Sequence, residues 1–306
     1  MRPDQAFEAE LAQRLRKRAQ LLLTGETQVL QALTGARAQI LETLAGLPAD
    51  WQQWQLSRLL GQIEDVLTGA TGTAGTLFEL RMQDAWQQGE DLVDKPLAAA
   101  GMGVEMRLAA LDVGVLKQMR AFGSLRLKDV GNEAARKIGR QLGLVTIGAQ
   151  TPFEAIKAVQ ALLGSESPRR ATTIVRTEVS RAFAVASNER LAQAMPLVPG
   201  LGKQWRRSGK IHSRWTHDLM DGQVVDADKP FLVPNPGGGI DKMMCPHDPK
   251  APPEQVINCG CIAIPYLKGW AVATPGAKPF SELELKLDGR KAALDRAAKE
   301  AGRRQE

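Results

Sequence analysis

Aromatic side chains are scarce in this sequence. Phe, Trp and Tyr make up 5% of its 306 residues, and there is one tyrosine. A core built from Leu, Ala and Val is therefore expected, as in many helical bundles. Cysteine is rarer: three residues, an odd number, all beyond residue 244, which does not describe a disulfide framework. No run approaches the roughly 18 apolar residues of a membrane span. Met1, Arg2, Pro3, Asp4 and Gln5 lead into frequent charges where a secretion signal would be apolar. Cytoplasmic synthesis and no membrane partner are the expectations. Phosphate-loop chemistry is missing too, because Gly237-Gly238-Gly239 has neither the flanking strand-to-helix pattern nor the P-loop lysine. There is no internal repeat, no sustained heptad and no Ser/His/Asp arrangement in a helpful context. On these grounds the chain is not expected to be an enzyme.

What is present describes an ordinary soluble protein, with 43% apolar and 24% charged residues. The net charge of +6 favours acidic partners such as double-stranded DNA. Arg136, Lys137 and Arg140, with Arg169 and Arg170, are the candidate phosphate contacts, and such binding would weaken steeply with salt.

Apolar residues recur at helical spacing from Leu11 through Leu15, Leu22, Val29, Leu33, Ile40 and Leu44. Residues 3 to about 195 therefore read as helix. Gly46-Leu47-Pro48 interrupts the run, and Asp50 is a candidate cap for a second helix. The Gly/Thr stretch over 68–76 fits either a loop or a weak point inside a long helix. Separate helices are expected over about 104–122 and 127–142. Thr151-Pro152-Phe153-Glu154 carries the signature of a capping box, opening a helix that ends near Gly164. Ser167-Pro168 opens another, which Pro196 stops. Beyond Gly200 the chain turns rich in Gly, Pro and Asp. Short strands are expected over 203–207, 223–225 and 257–264, with a short helix over 211–220 and an irregular loop over 234–239. The expected fold class is α+β: a long, mostly helical N-terminal region (1–165), a small α+β module (166–270), then a linker and C-terminal helix (271–306, the helix over about 281–302).

The chemistry-bearing residues concentrate in that module. All three histidines and all three cysteines fall between His212 and Cys261. Zinc takes thiolate and imidazole in tetrahedral sets. If 257–264 is a strand, Cys259 and Cys261 share one face. On this reading the metal candidates are His217, Cys259, Cys261 and Cys245, with zinc as the ion. Plain packing of small buried thiols is the competing outcome. Arg176, Glu178 and Arg181 form a second set, either a helix-surface pairing or an arginine fork that clamps the module's loops. Asp221-Gly222 is a turn signal, and Trp205 and Phe231 read as module core.

Taken in order, Arg176-Thr177-Glu178-x-x-Arg181, Trp205, Arg214-x-x-His217-x-x-x-Asp221-Gly222, Phe231, and Pro246-His247-Asp248-Pro249 through Asn258-Cys259-Gly260-Cys261 resemble the phage Mu F-like head morphogenesis family. The resemblance covers about residues 171–265. It implies a minor capsid protein of a tailed phage or prophage, located in the virion. Its partners would be the portal and the capsid or scaffold proteins, during head assembly, DNA packaging or genome delivery. Arg176, Glu178, Arg181, Trp205, Asp221 and Asn258 are then structural or interaction residues. Gly260 stands where the family commonly has Arg, and Cys245 and His247 also depart from its pattern. The alternative is a metal-dependent nucleic-acid hydrolase in which His217, Asp221 and a cysteine-bound ion activate water.

Overall fold

The computed structural model describes residues 1–45, 53–103, 108–211, 213–235, 237–270 and 280–289. The fold is α+β, with long helices first and a small sheet-containing module after them. The helices are α1 (Pro3–Ala45), α2 (Gln53–Ala99), α3 (Val113–Thr146), α4 (Pro152–Ala161) and α5 (Ser167–Ala194). The module adds β1 (Leu201–Arg206), α6 (Trp215–Leu219), β2 (Val224–Asp226), β3 (Phe231–Pro234), β4 (Ile240–Met243), α7 (Pro253–Val256) and β5 (Ile262–Leu267), followed by α8 (Glu282–Leu287).

The Gly/Thr stretch is helix, inside α2. Leu67, Thr71, Ala74 and Phe78 form one buried stripe at helical spacing. The hydroxyls of Thr71, Thr73 and Thr76 donate back to the carbonyls four residues earlier. Weak local propensity is thus overridden by burial of one face. The two helices expected between 104 and 142 are one. α3 starts only at Val113, where the Asp112 carboxylate accepts from the Gly114 N–H at 2.7 Å, and it runs unbroken to Thr146. The capping box at Thr151 and Glu154 is present. The expected break at Gly46–Pro48 and the Asp50 cap lie outside the described residues.

The chain divides into two compact units, each assembled from separated stretches: Ala19–Asp84 with Asp112–Val179, and Met1–Arg18 with Ala85–Leu111 and Ser180–Glu306. The segment boundaries expected at 165 and 270 do not coincide with this division. The first unit is helical, with a core of Ile40, Leu44, Leu59, Ile63, Leu67, Ala134, Ile138, Leu142, Val159 and Leu163. Its helices are also tied by the second constellation. Arg176 pairs with Glu26, its Nη2 donating at 2.8 Å, and the buried Glu178 accepts from Arg126 at 2.9 Å. These partners sit on α1 and α3, so the expected arginine fork on the module's loops is corrected to a helix–helix tie. Lys137 pairs with Glu133 and Glu166, and Arg170 with Glu133. Arg136, Arg140 and Arg169 of the basic set are exposed, as is the paired Arg170.

The second unit holds the module. β1 is the central strand of an antiparallel sheet ordered β2-β1-β5. Its position explains why even Lys203 and Gln204 are fully buried. β5 tolerates Pro265 because an edge strand needs no N–H on its outer side. Residues 234–239, expected to be irregular, connect two strands that sequence patterning missed: β3 and β4 pair antiparallel with Phe231 opposite Met243. In the same unit Gly89 lets α2 meet α5 closely, since a Cβ there would lie 2.4 Å from the Phe183 carbonyl oxygen.

A buried ion cluster fastens α8 to the sheet. Asp221 accepts from the Arg207 N–H at 2.9 Å and lies 3.5 Å from its Nε, while Glu284 takes the other side of the guanidinium. The Arg207 guanidinium lies over the Phe280 ring, 4.1 Å from its centre. α8 begins with a second capping box, Ser281 and Glu284. Burial pushes the Glu284 carboxyl up, but hydrogen bonds from Arg207 and from the Ser281 backbone and hydroxyl outweigh it and hold the group down at about 2.

A folded-state pKa below the ordinary 4.5 means that this carboxylate stabilises the fold fully at neutral pH. Its contribution starts to fall as pH drops through the unfolded value and is gone near the folded one. Glu284→Gln is therefore expected to lower the urea midpoint at pH 7 and to bring it towards wild type between pH 4.5 and 2. Equal differences at both ends of that range would refute the assignment.

Candidate metal centre

The centre is built from a helix, a hairpin and a turn. His217 lies on α6, 1% exposed, with its ring edge-on to Trp205 at 5.2 Å between centres. Trp205, fully buried on β1, packs edge-on to Phe231 on its other side at 5.3 Å. These rings belong to a core that also holds Met220, Val233, Met243, Val256 and all three cysteines.

Cys259 and Cys261 are not on a strand. They occupy the turn between α7 and β5, so alternation along a strand does not explain their meeting. The turn does. Asn258 adopts a left-handed backbone conformation (φ 55°), which Asn tolerates better than most residues. The Cys259 N–H then donates to the Val256 carbonyl at 3.2 Å. Lys210 donates to the Asn258 carbonyl at 2.7 Å and Arg214 to the Ile257 carbonyl at 2.5 Å. Gly260 is required by close approach: a Cβ there would stand 2.6 Å from Ser208 Cβ. The arginine common at this position in the resembled family would not fit. The Cys261 N–H points at the Cys259 sulfur, 3.4 Å away.

The result is convergence. Among the described residues, donor atoms of His217, Cys259 and Cys261 lie within 4.8 Å of one another, and the group can hold a metal ion. His217 Nδ1 is 3.5 Å from Cys259 Sγ and 3.7 Å from Cys261 Sγ. Which nitrogen carries the proton follows from the neighbours. Gln255, fully buried, donates its amide to the Pro234 carbonyl at 3.1 Å and to the Asp241 carboxylate at 2.8 Å. Its amide oxygen must then face His217 Nε2, 2.8 Å away, and accept that N–H. Neutral His217 is left with a bare Nδ1 aimed at the two sulfurs. A metal-ligating histidine characteristically has its outer N–H held in this way.

The two thiols are coupled by a hydrogen bond. The Cys261 S–H bonded to Cys259 pulls Cys259 well below the ordinary thiol range, and the same bond raises Cys261 well above it. Arg18 on α1, which donates to Ser180 Oγ at 3.3 Å, is close enough to both sulfurs for their charge to act on it. Cys245, the other expected ligand, is not among these three. Burial pushes its thiol up to about 12, aided by Asp248 and opposed by Lys203, so it keeps its proton. His212 lies outside the described residues. Asp221 is engaged by Arg207, so the water-activating pair expected of a hydrolase is not assembled with it. Gln255 and Asp241, which set the tautomer of His217, carry no signal in the sequence that marks them.

No known family profile matches the chain, and no solved structure matches it. Among curated proteins, 108 residues, 34% of the chain, are 28% identical to the NAD(+)--arginine ADP-ribosyltransferase EFV of Enterococcus faecalis (strain ATCC 700802 / V583). The chain spans a fifth of that protein's length. The expectation that the chain is no enzyme is corrected by this finding, because a third of it is similar to part of a protein named as one.

Proposed function

We propose that the chain is a minor head protein of a tailed phage or prophage, whose α+β module is closed by a zinc ion on His217, Cys259 and Cys261. The observation that carries the reading is the meeting of three motif residues, 42 and 44 positions apart in sequence, at one buried point. Zinc fits the donor set. Zn–S bonds of about 2.3 Å and Zn–N bonds of about 2.0–2.1 Å at a tetrahedral angle separate sulfur from nitrogen by about 3.5–3.6 Å. The two S···N distances here, 3.5 and 3.7 Å, bracket that value. Loading would release the thiol protons, and two thiolates would neutralise the dication. Support for the head role is the residue set itself, from Arg176 and Glu178 through Trp205 and His217 to Asn258, Cys259 and Cys261. The virion is the proposed location, with portal and capsid proteins as partners and DNA contacted through Arg136 and Arg140. Among the described residues no helix is long and apolar enough to cross a membrane.

A second reading is favoured by the Enterococcus relative: the chain takes part in ADP-ribosyl transfer from NAD+ to arginine. The shared stretch is a small fraction of that protein, so the two readings differ in whether this fraction carries the transfer chemistry or a module used beside it.

Three outcomes are expected. Purified full-length protein should contain about one zinc per chain by elemental analysis, and His217→Ala or Cys259→Ser should lose it. Variants that keep a full complement would refute the ligand set. Particles assembled from the portal, capsid and scaffold proteins encoded beside this chain should contain it in few copies. Its absence from both procapsids and mature heads would end the head reading. Labelled NAD+ with an arginine acceptor should yield labelled product if the second reading holds, and no transfer across pH and metal conditions would remove it.

A further inference from the structure

We infer that His247 is the fourth ligand of this centre, completing a closed two-histidine, two-cysteine site; the inference rests on the metal reading above. Three independent features single out this residue. His247 is fully buried, and neither of its ring nitrogens has a hydrogen-bond partner. Burying an imidazole with both nitrogens unsatisfied is costly, because each loses its hydrogen bond to water without replacement, so the position requires a compensating partner. Its backbone is left-handed (φ 66°), an unfavourable conformation for a residue with a Cβ and one that concentrates at functional sites. The ring also lies close enough to the Cys259 sulfur to interact with it.

The turn that presents His247 is held rigidly. One carboxylate oxygen of Asp248 accepts from the Met244 N–H at 2.7 Å and the other from the Lys250 N–H at 2.8 Å. The Asp248 N–H donates to the Cys245 carbonyl at 3.1 Å. Those bonds occupy the Asp248 carboxylate and leave the imidazole as the free donor of the segment. Charge favours imidazole too. Two thiolates already cancel a dication, so in a buried site the remaining ligands should be neutral. His247 stands outside the group of three whose donor atoms lie within 4.8 Å of one another, so ligation requires its ring to move towards them. With all four groups buried, no position is left for water, which is the arrangement of a structural zinc and not of a catalytic one.

Cobalt(II) substitution of the full-length protein tests this. Wild type should show the intense visible bands of tetrahedral cobalt with thiolate-to-metal charge transfer. His247→Gly suits the left-handed backbone and should stay folded. It should bind cobalt at least about 10-fold more weakly, since loss of even an outer-shell partner costs about 10–100-fold. Its bands should change as water enters, and added imidazole should restore them. An unchanged spectrum and affinity in His247→Gly, with imidazole without effect, overturns the fourth-ligand assignment and leaves the metal reading standing. Wild type that binds neither zinc nor cobalt overturns both. Should His247→Gly lose its far-ultraviolet circular dichroism, His247→Asn, which also tolerates this backbone, takes its place with the same outcomes.

Discussion

The contact between His217 Nδ1 and the sulfurs of Cys259 and Cys261 is the constraint on which the module depends. Nothing local brings these groups together. α6 follows β1, and the cysteines arrive only after one further strand, a hairpin and α7. A pair of buried thiols against an imidazole is a poor source of stability by itself, because thiols are weak donors and weak acceptors. As ligands of one dication the same atoms become a crosslink between α6 and the start of β5, in a core with few large side chains.

The surroundings are arranged around that point. Asp241 holds Gln255, Gln255 holds the Nε2–H of His217, and Trp205, itself packed against Phe231, lies edge-on to the ring. Lys210 and Arg214 fix the carbonyls of the cysteine turn. Just past the end of β1, Arg207 joins Asp221 to Glu284, so the sheet is also tied to the C-terminal helix. Removing Asp221 would thus loosen α8 and the His217 turn together, although it ligates nothing. The Enterococcus relative carries a related stretch within a protein about five times the length of the match.

Much of the helical region was legible because its signals are local. The capping box at Thr151 and the Pro196 stop depend on a few adjacent residues, whereas the expected end near Gly164 and new start at Ser167 are a π-helical segment, Leu162–Glu166, through which the helix continues into α5. The break expected before 127 was not there, because continuous burial from Leu116 through Gly123 and Leu127 to Leu142 sustains one helix. The sheet order and the β3–β4 hairpin depend on pairings that a Gly/Pro-rich sequence does not announce. In the site, clustering of His and Cys led to three ligands, but by the wrong geometry: a strand face was expected, and a left-handed Asn258 turn does the work. Cys245 was grouped by residue type, whereas its surroundings keep it a neutral thiol. His247 was noted only as a departure from a pattern. Its isolation within the core becomes visible only in three dimensions.

X-ray absorption at the zinc edge on the purified full-length protein addresses the central claim most directly. The account predicts a first shell with two sulfurs near about 2.3 Å and nitrogens near about 2.0–2.1 Å. A shell of nitrogen and oxygen without sulfur, or a protein that retains no zinc at all, would contradict it.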